Sequence, residues 1–249
     1  MLNHRFVTAL FAISIGLVFL LCAIGSTAFY LWQIIFLFIY LSVEFIGAYF
    51  IGLNFHLKSV NHLDKTKNQI ALTFDDGPCT PETYAVLDTL KKHHVKATFF
   101  VIGKNIVENE TVLKRTMEEG HSIGSHSYSH HFWIDLWSAK KLEADIQQSL
   151  DSIKKVIGED TKLFRPPYGV TTPNFAYVLK KLNLTSIGWN VRSYDTSTAD
   201  LNKILERVLS QTKNGSVILL HDRLSIMPEL LDKLIPALKE RQFEFVTLS

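Results

Sequence analysis

The side chains of this chain best suited to chemistry are two adjacent carboxylates, two histidines four residues apart, an arginine beside a pair of prolines, and a histidine closing an apolar run. In Thr73-Phe74-Asp75-Asp76-Gly77-Pro78 the acids stand where a strand-like run gives way to a turn. Neighbouring side chains on a strand point to opposite faces, so the two acids can take different roles, one on a metal and one on water. Gly77-Pro78 supplies the turn. Asp-Asp-Gly alone also reads as a pair of solvated turn acids. In Ser125-His126-Ser127-Tyr128-Ser129-His130 the imidazoles fall on one face of a helical turn and can chelate one ion. The chain holds ten histidines, among them His93, His94 and His131, so clustering by itself identifies nothing.

One carboxylate with two imidazoles leaves ligand positions open, as a catalytic rather than a closed structural site does. A divalent ion held there activates water near neutral pH and polarises a carbonyl. Leu163-Phe164-Arg165-Pro166-Pro167-Tyr168-Gly169 offers a fixed cation and a rigid turn. Arg165 suits a carboxylate base, and a backbone N–H of the turn suits an oxyanion. Val217-Ile218-Leu219-Leu220-His221-Asp222 ends a buried run in a histidine, the natural proton donor to a leaving amine. Taken alone, His221 also reads as a cap at a strand end.

These groups need a scaffold. Residues 69–74, 96–102, 121–125, 163–165, 185–191, 216–221 and 243–248 read as strands, and 81–94, 104–119, 138–156, 173–182, 201–212 and 228–241 as helices. Leu142, Ile146, Leu150 and Ile153 repeat at helical spacing, and Pro173 sits near a helix start. Strands alternating with helices predict an α/β fold with a parallel sheet. The chemistry-bearing residues follow many different strands, which favours a compact (β/α) barrel of about seven units over an open sheet with one switch point.

Before the scaffold lie two apolar runs, 6–24 without charge and 28–53 with only Glu44, joined by Gly25-Ser26-Thr27. About 19 apolar residues suffice to cross a bilayer as a helix. The expected organisation is a transmembrane hairpin over 1–57, a polar linker over 58–68 and a catalytic domain over 69–249. A signal peptide cleaved near Ser26-Thr27-Ala28 is the alternative. Arg5 and the α-amino group flank one end, and Lys58, Lys65 and Lys67 against Asp64 flank the other, so the positive-inside rule places the catalytic domain on the cytoplasmic side. Cleavage of the first run reverses that. Glu44 is a functional candidate by its depth, or a carboxyl at the interface or neutral between helices. Arg5 and Glu44 cancel within 1–57, and a net charge of +2 over the rest gives no signal for nucleic acid. Cys22 and Cys79 lie in separate regions and imply no disulfide.

The order TFDDGP, HSYSH, RPPYG, ILLHD resembles the polysaccharide deacetylases, the NodB-homology or carbohydrate esterase family 4 proteins, across residues 68–249. The resemblance implies a distorted (β/α) barrel and hydrolysis of the N-acetyl amide of an amino sugar. It implies Asp75 as general base, Asp76, His126 and His130 on a divalent metal, usually zinc, and Arg165 positioning Asp75. It further implies the Tyr168 N–H in an oxyanion hole, His221 as general acid, and Leu219 or Leu220 with Trp189 around the acyl methyl. In Trp189-Asn190-Val191-Arg192-Ser193-Tyr194-Asp195-Thr196 the chain departs from the family pattern. Arg192 replaces an expected Asp, and Thr196 an expected Trp. A cation there depresses the pKa of His221 unless Asp195 takes over as its partner.

The implied partners are an acetylated sugar polymer and the bilayer. The alternatives are a deacylase or deformylase of a lipid-linked sugar, an O-acetyl esterase, and an inactive membrane-anchored glycan-binding protein. Residues 132–137, Phe-Trp-Ile-Asp-Leu-Trp, read as a core-packing turn or as a contact with lipid.

Overall fold

The computed structural model describes residues 3–249, so the α-amino group of Met1 lies outside the described residues. Helices α1 (His4–Leu21) and α2 (Thr27–Tyr49) form an antiparallel hairpin. Asn3 and Ser26 cap their starts by accepting the amides of Phe6 and Phe29, which satisfies N–H groups that lack helical partners. Both helices are long and apolar enough to cross a membrane, and only 6% of each apolar window is covered by other parts of the chain. Apolar side chains such as Ile13, Leu20, Ile34 and Phe38 therefore face outward.

The remainder carries β1 (Ser59–Val60), β2 (Gln69–Asp75), α3 (Glu82–Lys92), β3 (Thr98–Val101), α4 (Gly103–Ile106), α5 (Glu110–Glu118), β4 (Ser122–Ser125), α6 (Ala139–Ile157), β5 (Leu163–Phe164), α7 (Pro173–Lys181), β6 (Thr185–Ile187), β7 (Val191–Arg192), α8 (Leu201–Gln211), β8 (Val217–His221), α9 (Met227–Glu240) and β9 (Glu244–Phe245). Every named strand pairing is parallel, in the order β1-β6-β5-β4-β3-β2-β8-β7, with β9 beside β2. The sheet curls into an incomplete (β/α) barrel. Past β1, His62 bridges Ser216 and the Leu63 N–H reaches the Gly215 carbonyl at 2.8 Å, bringing that edge back to the start of β8.

Side-chain alternation divides the core in two. On β2 and β8, Leu72, Phe74, Ile218 and Leu220 point into the helix layer, where they meet Val86, Leu90, Leu230 and Leu234. Ala71 and Val217 point inward to meet Phe100, Leu163, Ile187 and Leu248. The same inward parity carries Thr73, Asp75, Leu219 and His221. Asp75 and His221 are register partners at the carboxyl ends of their strands.

Four sequence expectations change. Residues 58–68 are not a free linker: β1 joins the sheet, and Ser59 Oγ meets Ser186 Oγ at 2.7 Å. Backbone pairing needs no apolar run, so this strand left no hydrophobic signature. The strand expected over 185–191 is two strands that pair differently, β6 with β1 and β5, and β7 with β8. The helix expected over 104–119 is broken into α4 and α5. His126 and His130 do not lie on one face of a helical turn: Ser127 and His130 both have positive φ, 66° and 46°, in an irregular loop.

Leu220 is fully buried in the helix-layer core. Leu220→Ala is expected to cost about 2–5 kcal/mol in unfolding free energy. Denaturant unfolding of the purified chain checks this, and a loss below 1 kcal/mol contradicts the packing described.

Candidate active site

Arg165 follows β5 and is completely buried inside the barrel. It donates to Asp75 Oδ1 at 2.7 Å, to Thr73 Oγ1 at 2.9 Å, and to the Ile187 and Gly188 carbonyls at 3.3 and 2.9 Å. Its guanidinium lies 4.1 Å from the centre of the Phe100 ring. A buried cation is costly unless paired and hydrogen-bonded, and this one is both. The pair fixes one oxygen of Asp75. The other oxygen stands 3.7 Å from His126 Nε2.

Asp76 adopts φ 76°, outside the strand region, so its carboxylate turns toward the same site instead of alternating to the far face. Gly77 is required beside it, because a Cβ there would collide with the Asp222 carboxylate. Asp76 Oδ1 lies 3.8 Å from His126 Nε2 and 3.5 Å from His130 Nε2, while Oδ2 accepts from Arg223 Nε at 2.9 Å. One ligand atom from each of Asp76, His126 and His130 lies within 4.8 Å of the others. His126 Nδ1 meets the Arg165 carbonyl at 2.7 Å, which as a donor leaves the Nε2 lone pair facing Asp76. Burial and the neighbouring His126 lower His130 to about 4, so its ring is neutral at pH 7. Burial works against ionised Asp76, but the surrounding histidines and Arg223 outweigh it and keep its pKa low. Two imidazole nitrogens and a carboxylate in this arrangement fit a divalent ion of the zinc type.

The loop that carries the histidines is held from below. Asp145, on α6, accepts the amides of Tyr128 and Ser129 at 2.9 and 3.1 Å. Ser127 Oγ accepts the His130 amide at 3.0 Å.

Across the site, His221 Nδ1 lies 2.8 Å from Asp195 Oδ1, and its amide donates to Asp195 Oδ2 at 2.9 Å. Burial opposes the charge on His221, but the Asp195 hydrogen bond and carboxylate outweigh it and raise its pKa. The Arg192 guanidinium stacks over Tyr194 and Trp189, at 4.9 and 5.8 Å. The depression expected from that cation is therefore not the net effect.

Tyr168 sits at φ 59° with its ring edge-on to His130 at 4.7 Å. Among the described residues its amide has no protein acceptor. These groups surround a hollow of about 160 Å³ lined also by Trp189, Thr196 and Leu219. Leu220 does not line it. Strand parity sends Leu220 into the helix layer and turns Leu219 inward beside His221. Of residues 132–137, Ile134 is buried, but Phe132 and Trp133 are exposed, and Phe132 stands 6.0 Å from Tyr168 at the rim. A core-packing turn thus describes only part of that segment.

Sequence reasoning missed Thr73, Asp145, Asp222 and Arg223. Asp222 is buried, accepts from Thr83 Oγ1 at 2.7 Å, and is pushed up to about 7 by burial and by Asp76. Both Asp222 and Arg223 adjoin His221, and that adjacency was the only available signal. Thr73 and Asp145 gave none, since their partners are 92 and 17 residues away.

Residues 62–187 match the family described as Polysaccharide deacetylase. The peptidoglycan-N-acetylglucosamine deacetylase PgdA of Listeria monocytogenes is 36% identical over 188 residues, 74% of this chain and 39% of that protein. The chain thus spans well under half the length of that relative. The crystal structure of the Bc1960 peptidoglycan N-acetylglucosamine deacetylase superposes with a TM-score of 0.72 at 35% identity, covering 76% of this chain and 89% of that one. BA3943 of Bacillus anthracis, described as a CE4 family pseudoenzyme, gives the same TM-score of 0.72 at 25% identity, covering 77% and 67%. Likeness of fold alone therefore does not separate active from inactive members.

The raised pKa of His221 means that folding stabilises its protonated form. That contribution is complete below the unfolded value of about 6.5 and is lost as pH rises through the higher folded value. Asp195→Asn is expected to lower the His221 pKa, and to cost more thermal stability at acidic pH than at alkaline pH. NMR titration of the His221 ring and melting curves across pH check this. An unchanged His221 titration contradicts the pairing.

Proposed function

Because this chain belongs to the polysaccharide deacetylase family, we propose that it hydrolyses the N-acetyl amide of amino sugars in a glycan, peptidoglycan being the first candidate. The observation that carries this is the facing of Asp75, locked by buried Arg165, and the His221–Asp195 pair across one small hollow. Asp75 is the base: Arg165 occupies one oxygen, and the free oxygen is placed to take a proton from the attacking water. Asp76, His126 and His130 hold a divalent ion, with zinc the best match. When bound, that ion supplies Lewis acidity toward the water and the acyl oxygen. The free Tyr168 amide donates to the oxyanion as the carbonyl becomes tetrahedral. His221, kept protonated by Asp195, delivers a proton to the departing sugar amine. Leu219 and Trp189 enclose the acetyl methyl, and the exposed rings of Phe132 and Tyr168 offer faces to the sugar at the rim.

The hairpin serves as a membrane anchor in this reading. A finished wall polymer requires the active site to face outward, whereas the basic flanks favour the cytoplasmic side.

A second reading, a lipid-linked amino sugar, draws on one observation. A hollow of about 640 Å³ lies between the end of α2 (Ile46, Tyr49, Phe50) and Arg192 and Arg207. Both guanidiniums stack on Tyr194, at 4.9 and 5.0 Å, and neither has a carboxylate partner among the described residues. Arg192 and Trp189 also line the small hollow, so an anionic carrier group bound beside the membrane would lead directly into the site.

Asp75→Asn is expected to lower kcat by about 10²-fold or more with the fold intact, as loss of a general base does. Acetate release from acetylated sugar oligomers measures it, and an unchanged rate rules out the base assignment. Removal of divalent ions with a chelator is expected to abolish release, and added Zn²⁺ to restore it. For the carrier, the Arg192→Ala/Arg207→Ala protein is expected to lose more activity on lipid-linked than on soluble sugars. Equal losses on both count against the second reading, and a reporter at the C-terminus fixes the side of the membrane.

A further inference from the structure

We propose that His4, Glu44 and His56 form a second metal site, where the hairpin meets the α/β scaffold, for a borderline divalent cation such as Zn²⁺. The donors come from three segments: the first residue of α1, the last turns of α2, and the stretch just after the hairpin. One ligand atom from each lies within 4.8 Å of the others, as in the Asp76, His126 and His130 trio.

The spacing of His56 and Glu44 is that of ligands around one ion, and His4 stands at hydrogen-bond distance from the same carboxylate. His4 Nδ1 lies 3.0 and 3.1 Å from the two oxygens of Glu44, and His56 Nε2 lies 3.5 Å from Glu44 Oε2. The last separation is long for a hydrogen bond, whose heavy atoms settle at about 2.9 Å. Ligand bonds of about 2.0–2.1 Å in a tetrahedral site place neighbouring ligand atoms roughly 3.3–3.5 Å apart. His130 Nε2 and Asp76 Oδ1, in the other trio, are also 3.5 Å apart.

The burial of His56 supplies an independent reason. Its side chain is 3% exposed, and Nδ1 has no hydrogen-bond partner. A buried imidazole with one unpaired nitrogen and only a long approach at the other is costly as it stands. An ion on Nε2 removes the mismatch at that nitrogen. Glu44 is also five residues short of the α2 end, roughly 7 Å along the helix, where an isolated carboxylate is expensive. A dication held between it and the two imidazoles offsets that negative charge.

The donor set selects the ion. Two imidazoles favour zinc-type cations over Mg²⁺ and Ca²⁺, which prefer all-oxygen shells. Arg5 and Lys180 line the adjoining hollow and disfavour loosely held cations. Bound there, the ion clamps both membrane helices to the start of the sheet and fixes how the active site stands on the bilayer. This site does not depend on the deacetylase reading.

The test counts metal in the full-length, untagged chain in nanodiscs, stripped with chelator and then dialysed against Zn²⁺. Two equivalents are expected in the native chain. One is expected in Glu44→Gln, in His56→Ala, and in the His126→Ala/His130→Ala protein. A His126→Ala/His130→Ala protein that holds none overturns the site, as do Glu44→Gln and His56→Ala proteins that hold as much as the native chain. If those two variants fail to fold, Co²⁺ in the His126→Ala/His130→Ala protein reports directly. Visible bands of a low-symmetry nitrogen–oxygen site are expected, and their absence overturns the proposal.

Discussion

The buried ion pair between Arg165 and Asp75 is the interaction on which the rest of the site depends. A fully buried guanidinium carries a desolvation penalty of several kcal/mol, and only a complete set of partners offsets it. The partners come from β2 (Thr73, Asp75), from the end of β6 and the residue after it (Ile187, Gly188), and from the face of Phe100 on β3. A flat sheet would not bring these strands around one side chain. The pair thus ties barrel curvature to the chemistry, and it orients Asp75 without using its second oxygen.

Strand parity then sorts the remaining groups. Thr73, Asp75, Leu219 and His221 share the inward face of two paired strands, and their neighbours along the chain fill the helix layer. The one residue that escapes alternation is Asp76, through its positive φ. That backbone departure places two sequential carboxylates in one site with different partners, Arg165 for the first and the imidazoles with Arg223 for the second. Strain at such a position persists only where surrounding contacts over-determine it, and here Asn105 holds the Asp76 carbonyl while Asp222 packs against Gly77.

The hairpin is not a detached leader in this structure. The Thr171 amide donates to the Ala48 carbonyl at 2.9 Å, and the ends of both helices contribute to hollows that reach the scaffold. The larger of these shares Trp189 and Arg192 with the small site hollow. Arg192, which breaks the family pattern, belongs to that wall beside the end of α2, and Asp195 is left to pair with His221.

The alternation of apolar runs, the two membrane-length helices and the short motifs around Asp75, His126, Arg165 and His221 were legible in the sequence, because each is written in local spacing. So was the α/β class with its parallel strands. Strand β1 was not legible, since its pairing is made by backbone groups and two serines rather than by an apolar pattern. Nor was the choice of Leu219 over Leu220, which depends on the parity of β8 relative to a barrel axis that no local window contains. Tertiary structure alone decided that His126 and His130 converge from an irregular loop held by Asp145, that Asp195 pairs with His221, and that His4, Glu44 and His56 meet. In each case the deciding contact joins residues far apart in the chain, and a sequence records which groups exist but not which distant group each one will face.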